Sequence, residues 1–143
     1  RLRAPGPEDR AALAAYDRAA FGFDRPGFLA AWTDGSEGRV TRLLVEDGRV
    51  VGYGTIRPCR SGYKIGPLFA DDAAGAEALF LALAAEAGGA TIALDTPAPN
   101  AAAVALAERH GLAPVFETAR MYRGSDPGLP LARIFGITTF ELG

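Results

Sequence analysis

The sequence predicts a mixed α+β domain in which antiparallel strands come first, a β-α-β-α-β run follows, and helices cover both faces of the sheet. A hairpin pattern with a two-residue turn at Asp47-Gly48 indicates the antiparallel part. An almost wholly apolar helix after the third strand of that part must pack on a sheet. Strand and helix patterns then alternate, which is typical of a crossover onto a parallel strand. The length of 143 residues fits one domain.

The first 38 residues predict one short strand and two helices. Residues 1–4 are long enough for an edge strand. A helix begins at Pro7–Arg10, where acidic residues favour the positive end of the helix dipole, and its apolar spacing continues to Ala20. Pro26 suits the first turn of a second helix that extends through Trp32.

From residue 39 the hydrophobic period changes to that of strands. Val40–Glu46 and Arg49–Ile56 predict the hairpin, and Tyr63–Ala70 predicts a third strand. Gly66-Pro67 inside the third strand indicates a bulge or a splayed edge, because proline has no N–H to donate to the ladder. An edge strand ended by the proline is the alternative.

The second half predicts alternating helices and strands. Asp71-Asp72 can cap a helix over 73–87, and Asn100 can cap another that ends at His110-Gly111. The predicted strands are 91–95, 113–122 and 134–142.

Composition excludes several classes of function. The net charge is −2 and no basic run occurs, so we expect no nucleic-acid surface. No apolar run is long enough to span a membrane, and no export signal occurs. One cysteine, Cys59, and one histidine, His110, exclude a zinc site built from Cys/His clusters. The default compartment is then the reducing cytoplasm, and the start at Arg1 is expected of a piece cut from a longer chain.

Two groups of residues resemble the GNAT superfamily of N-acetyltransferases. Asn100, Ala103 and Leu106, followed by 108–112, resemble the superfamily's late helix and the Gly-Phe after it. Residues 65–70, 94–95, 120–124 and 140–143 resemble the second half of bacterial two-domain GNAT proteins. The resemblance implies one GNAT-like domain over 1–143 that forms the C-terminal half of a larger protein. That protein would transfer an acetyl group from acetyl-CoA to a small-molecule amine, and the partner would be an N-terminal GNAT domain or a second copy.

The resemblance also implies which residues would hold acetyl-CoA. Backbone groups of Leu68, Phe69 and Ala70 would bind the pantetheine arm and the acyl carbonyl, and Asn100 would contact the same arm. The pyrophosphate would lie at the loop that contains Ala74, Gly75 and Ala76.

The pyrophosphate loop departs from the family, because Asp71 and Asp72 stand where a basic residue is usual. A carboxylate about 5 Å from a phosphate charge costs roughly 3 kcal/mol at an effective dielectric of about 20. The isolated chain is therefore predicted to bind acetyl-CoA weakly or not at all, and this half of the protein would shape the substrate site instead.

Catalytic candidates are few, because the position of the family's tyrosine acid is Ala107. Tyr122 is the candidate acid and Glu46 the candidate base, although a buried tyrosine and a solvated carboxylate are the plainer interpretations. The predicted substrate-binding residues are Tyr53, Arg57 and Asp95.

Two other functions stay open. In a complete small enzyme, Arg57 or Arg60 would supply the missing positive charge and Tyr122 the missing acid. A non-catalytic ligand-sensing or interaction module would instead expose an aromatic surface at Phe21, Phe23, Phe28 and Trp32.

Overall fold

The computed structural model describes residues 1–142. The helices are α1 (Arg10–Phe21), α2 (Pro26–Thr33), α3 (Ala73–Ala84) and α4 (Ala101–Arg109). The strands are β1 (Leu2–Arg3), β2 (Val40–Glu46), β3 (Arg49–Pro58), β4 (Tyr63–Ala70), β5 (Ile92–Leu94) and β6 (Ile134–Gly136). Short 3₁₀ turns precede α1, β2 and β6 and follow α3. No helix within residues 1–142 has the length and hydropathy to cross a bilayer.

The six strands form one mixed sheet in the order β1-β2-β3-β4-β5, and β6 pairs with β4. The strands from β1 to β4 are antiparallel, and β5 runs parallel to β4. The β2–β3 hairpin closes at Glu46 opposite Arg49, as its Asp-Gly turn predicted. The predicted fold class is confirmed.

Helices pack on both faces of the sheet, because neighbouring strand residues point to opposite sides. Leu43 and Phe69 belong to the core beneath α1 and α2, whereas Leu44 and Leu68 belong to the core beneath α3 and α4. The α3 face lies so close to β3 that a β-carbon on Gly54 would come within 2.8 Å of Leu83. This glycine therefore provides the close helix–sheet approach.

The third strand of the antiparallel run, β4, is interior, so the edge-strand alternative is wrong. β3 pairs with one side of β4; β5 pairs with the other side at residues 63–65, and β6 pairs at Leu68 and Phe69. Pro67 lies between the β5-paired and β6-paired stretches. The β3–β4 register also shifts between Gly54 and Ile56, which confirms the predicted irregularity.

The structure contradicts the predicted strand over 113–122 and shortens the last strand to Ile134–Gly136. Every residue of 113–122 is exposed and outside regular secondary structure. The physical reason is that a strand needs a neighbour to receive its hydrogen bonds, whatever its own side-chain pattern. Smaller differences from the prediction concern where elements end. The helix α3 stops at Ala84 before a 3₁₀ turn, and the strand β3 continues to Pro58.

Candidate functional site

The sheet opens where β4 and β5 part after the Ile65–Leu94 pair. β6 enters on this side of β4, with Ile134 opposite Phe69 and Gly136 opposite Leu68. The Ile137 N–H then donates to the Asp95 carbonyl at the end of β5, at 2.9 Å. The chain's own backbone therefore joins both sides of the opening.

The side chain of Asn100 holds this part of the chain in place through three hydrogen bonds. Its Nδ2 donates to the carbonyls of Leu131 and Ile134, each at 2.9 Å, and its Oδ1 accepts from the Ala103 N–H at the start of α4. The predicted helix cap is confirmed. Both amide hydrogens are used within the protein, so Asn100 has no donor left for a ligand.

We name residues 131–138 the closing segment. Besides Asn100, it is held by Arg25, whose guanidinium donates to Thr138 Oγ1 at 3.1 Å. The closing segment can lie against β4 because residue 66 is glycine. A β-carbon there would collide with the carbonyl oxygens of Ile137 and Thr138. The Trp32 indole N–H donates to the Gly66 carbonyl at 3.0 Å, which ties α2 to the same point of β4.

The acidic loop between β4 and α3 is also occupied by internal contacts. Asp72 caps α3, with its Oδ1 accepting from the Gly75 N–H at 2.7 Å. Asp71 accepts from the Tyr16 hydroxyl at 2.9 Å and pairs with Arg133 at 2.5 Å. Burial, reinforced by Asp71, raises the pKa of the Tyr16 phenol. Protein carboxylates thus take the place that an anionic ligand would need.

Most of the residues implied for acetyl-CoA are engaged in contacts within the chain. Leu68 and Phe69 are paired with β6, and Ala70 is wholly buried. The Gly75 N–H already has its acceptor; Ala76 is buried, and Ala74 alone of the three loop residues is exposed. The closing segment thus covers the backbone of β4 that the resemblance implies for the pantetheine arm, and two carboxylates flank the implied pyrophosphate loop.

Tyr53 lies in the core and not at the opening. It is fully buried, and its hydroxyl donates to Asp17, which also accepts two hydrogen bonds of 2.7 Å from Arg25. Burial, with the Asp17 charge added, raises the pKa of Tyr53 well above its usual range. The Tyr53 hydroxyl is therefore bonded to a buried ion pair, and the residue has no exposed surface for a ligand to contact.

The two candidate catalytic residues lie on exposed parts of the chain. Glu46 is an exposed residue beside the hairpin turn, opposite Arg49. Tyr122 lies on the irregular stretch after α4 and is 46% exposed, with its hydroxyl 3.3 Å from Arg120. No hydrogen bond within residues 1–142 links either side chain to the closing segment. Their catalytic roles stay predictions.

The other predicted binding residues, Arg57 and Asp95, both neighbour Lys64 near the beginning of β4. Arg57 is opposite Lys64 in the β3–β4 ladder, and Lys64 forms an ion pair with Asp95. Arg57 lines an open cavity of about 390 Å³ together with Trp32 and Arg39. The described part of the chain, residues 1–142, has no group of three His, Cys, Asp or Glu side chains placed to hold a metal ion.

Sequence reasoning missed Arg133, Asp17 and Arg25 as parts of this region. Arg133 meets Asp71 across 62 positions of sequence, and Arg25 meets Thr138 across 113. No local pattern marks such partners. Asp17 did carry a signal, since a carboxylate at a core-facing spacing of α1 requires a buried counterion.

Comparison with known proteins agrees with this architecture. The family model described as an acetyltransferase (GNAT) domain matches residues 13–136. The holothin acyltransferase of Pseudoalteromonas sp. is 32% identical over 129 residues, which cover 90% of this chain and 44% of that protein.

Solved structures give the same result. A crystal structure of a putative acetyltransferase from Pyrococcus horikoshii has 27% identity and a TM-score of 0.75, over 100% of this chain and 45% of that one. AAC(6')-Iy, solved with a CoA-containing bisubstrate analogue, shares the fold at a TM-score of 0.66 and 14% identity, over 88% and 98% of the two chains. The chain thus spans less than half the length of the first two relatives. The sequence, the mixed sheet and the matching family model together show that this chain belongs to the acetyltransferase (GNAT) domain family.

Proposed function

We propose that this domain is the C-terminal half of a two-domain N-acetyltransferase, and that it shapes the amine-substrate site without holding acetyl-CoA itself. The observation that carries the proposal is the closing segment, which pairs with β4 where the family would place the acyl-CoA arm. Asn100, the residue implied for that arm, is bonded to the same segment. Acyl transfer would then depend on acetyl-CoA bound in the other domain.

Two further observations support a second domain. The chain covers 44% of the holothin acyltransferase and 45% of the Pyrococcus protein, so both relatives have room for another domain. In addition, the irregular stretch 113–122 exposes large apolar side chains, with Val115 at 93% and Met121 at 85%. Apolar groups at that exposure are typical of a surface that another domain covers.

The alternative of a complete small enzyme finds no support at the acidic loop. Arg57 lies opposite Lys64, near the beginning of β4, whereas the loop follows Ala70 at its end. Six strand residues separate these points, roughly 20 Å. Arg57 therefore cannot take the place of the missing basic residue beside Asp71 and Asp72. The arginine that does reach the loop, Arg133, is already paired with Asp71.

Calorimetric titration of the 143-residue chain with acetyl-CoA, at low and moderate salt, tests the cofactor part of the proposal. We expect no binding heat at millimolar acetyl-CoA from a chain whose cooperative thermal unfolding shows that it is folded. Micromolar binding that weakens with salt would contradict the proposal, because it would require arginines gripping the phosphates.

Steady-state kinetics of the full-length protein test the substrate part. Arg57→Gln should raise the KM for the amine and leave the KM for acetyl-CoA unchanged. An equal rise in the KM for acetyl-CoA would place this domain at the cofactor and overturn the assignment. Arg49→Gln is the matched control, since Arg49 is an exposed arginine of the same strand.

A further inference from the structure

The cavity at the beginning of β4 combines an apolar wall with charged side chains. Its volume is about 390 Å³, within the range of roughly 300–1,000 Å³ typical of small-molecule sites. Trp32, Pro58 and Leu142 form the apolar part, and Arg39 and Arg57 bring positive charge. The Trp32 ring is fixed, because its N–H bonds to Gly66 and its face stacks on Phe28 at 5.0 Å.

The two arginines differ in how far the protein satisfies them. Arg39 is paired with Glu37 at 2.6 Å and also bonds to Ser36 and Ala31. It therefore holds the loop between α2 and β2. Both arginines have a buried Nε without an acceptor, so the difference lies in their terminal nitrogens. Within residues 1–142, the only hydrogen-bond partner of the Arg57 side chain is the Cys59 sulfur at 3.4 Å. The terminal nitrogens of Arg57 are therefore the donors of this cavity that the described residues leave most available to a ligand.

The acidic groups around the cavity limit which ligand fits. Glu37 already forms an ion pair with Arg39. Glu141 lines the cavity as well, and its pKa is lowered chiefly by its backbone N–H and the Thr139 hydroxyl, with Lys64 and Arg57 contributing. Lys64 is itself paired with Asp95. A simple anion would meet Arg57 but also the Glu141 carboxylate, whereas a ligand that carries an amine as well would find a counterion for each charge.

We infer that Arg57 binds the carboxylate of a small amine-bearing acid, whose apolar part lies against Trp32 and whose amine faces Glu141. The two terminal nitrogens of a guanidinium can pair with both oxygens of a carboxylate, because the group is a planar fork of donors. The carboxylate site stands on the cavity itself; that the bound amine is the acyl acceptor rests on the proposed function.

Trp32 is the single tryptophan of the chain, so its fluorescence reports directly on this cavity. The probes are L-phenylalanine and L-phenylalaninamide, which share the amine and the aromatic ring and differ in the carboxylate. We expect a saturable fluorescence change with L-phenylalanine, and binding of the amide weaker by about tenfold or more. Equal affinity for the two probes, or no saturable response to L-phenylalanine, would overturn the inference.

Variants separate Arg57 from the rest of the cavity. Arg57→Gln should weaken L-phenylalanine binding by about tenfold or more and leave the response to the amide unchanged. Arg57→Lys keeps the charge but not the fork and should also weaken the acid. Arg49→Gln is the control and should bind both probes like the parent chain; a loss there equal to that of Arg57→Gln would count against the site. These measurements use no acetyl-CoA, so they can fail or succeed independently of the cofactor titration.

Discussion

At the scale of single residues, the most consequential group is the buried cluster of Asp17, Arg25 and Tyr53. Asp17 is 1% exposed and accepts from both other side chains, while Arg25 lies 3.7 Å from the Phe21 ring centroid and reaches Thr138. One carboxylate thus links α1, β3 and the closing segment. Removing it leaves a guanidinium buried without a counterion, which is costlier than never having had the pair.

Asp17→Ala should therefore lower the free energy of unfolding by about 3–5 kcal/mol in a urea titration. The matched control is Asp24→Ala. Asp24 pairs with Arg18 at 3.6 Å, and both side chains are 65% exposed, so its loss should cost roughly 0–1 kcal/mol. Equal losses in the two variants would show that the cluster has no special weight in stability.

At the scale of elements, the domain depends on how the closing segment lies against β4. Gly66 of β4 has no side chain, and the missing β-carbon lets the Ile137 and Thr138 carbonyls of the segment approach the strand. Two α-helices meet the same region, since Asn100 caps α4 and Trp32 belongs to α2. The segment is consequently a structural member of the sheet.

Gly66→Ala should push the closing segment outward. We expect the Ile137 amide, which donates to Asp95, to exchange its hydrogen about tenfold faster or more, together with the amides of β6. Gly27→Ala is the control, because a β-carbon there meets nothing within 4 Å. If Ile137 stays as protected as in the parent chain, the close approach does not hold the segment.

At the scale of the whole molecule, side-chain burial is uneven along the chain. The sheet and its four helices enclose two cores, while residues 113–128 run exposed between α4 and the closing segment. The ring centroids of Phe116 and Phe140 are 5.7 Å apart, but Phe116 is still 71% exposed. In the proposed two-domain protein, this stretch is the surface that the other half would cover.

Limited digestion with trypsin should cut the 143-residue chain first after Arg120 or Arg123, because both lie in this exposed stretch. The larger protein should protect the same bonds if a second domain covers them. First cleavage within α1, at Arg10 or Arg18, would contradict this view of where the chain is accessible. Mass spectrometry of the early fragments distinguishes the two results.

The sequence by itself determined the features whose causes are local. The Asp47-Gly48 turn, the caps at Asp72 and Asn100, and the apolar helix after β4 all depend on neighbours a few residues away, and each appears where its pattern indicates. The family resemblance carried by Asn100 and the residues after it depends on the same short range. The acidic loop consists of two adjacent residues, Asp71 and Asp72, and their charge is the reason to expect weak acetyl-CoA binding.

Only the tertiary structure decided where the last strand goes and what it fills. The apolar pattern of 113–122 predicts a strand, but a strand exists only where another strand receives its hydrogen bonds, and β6 pairs with β4 instead. The Arg133–Asp71 pair and the cavity around Arg57 likewise join residues far apart in sequence. Such contacts follow from the packing of the whole chain, which the spacing of residues along it does not encode.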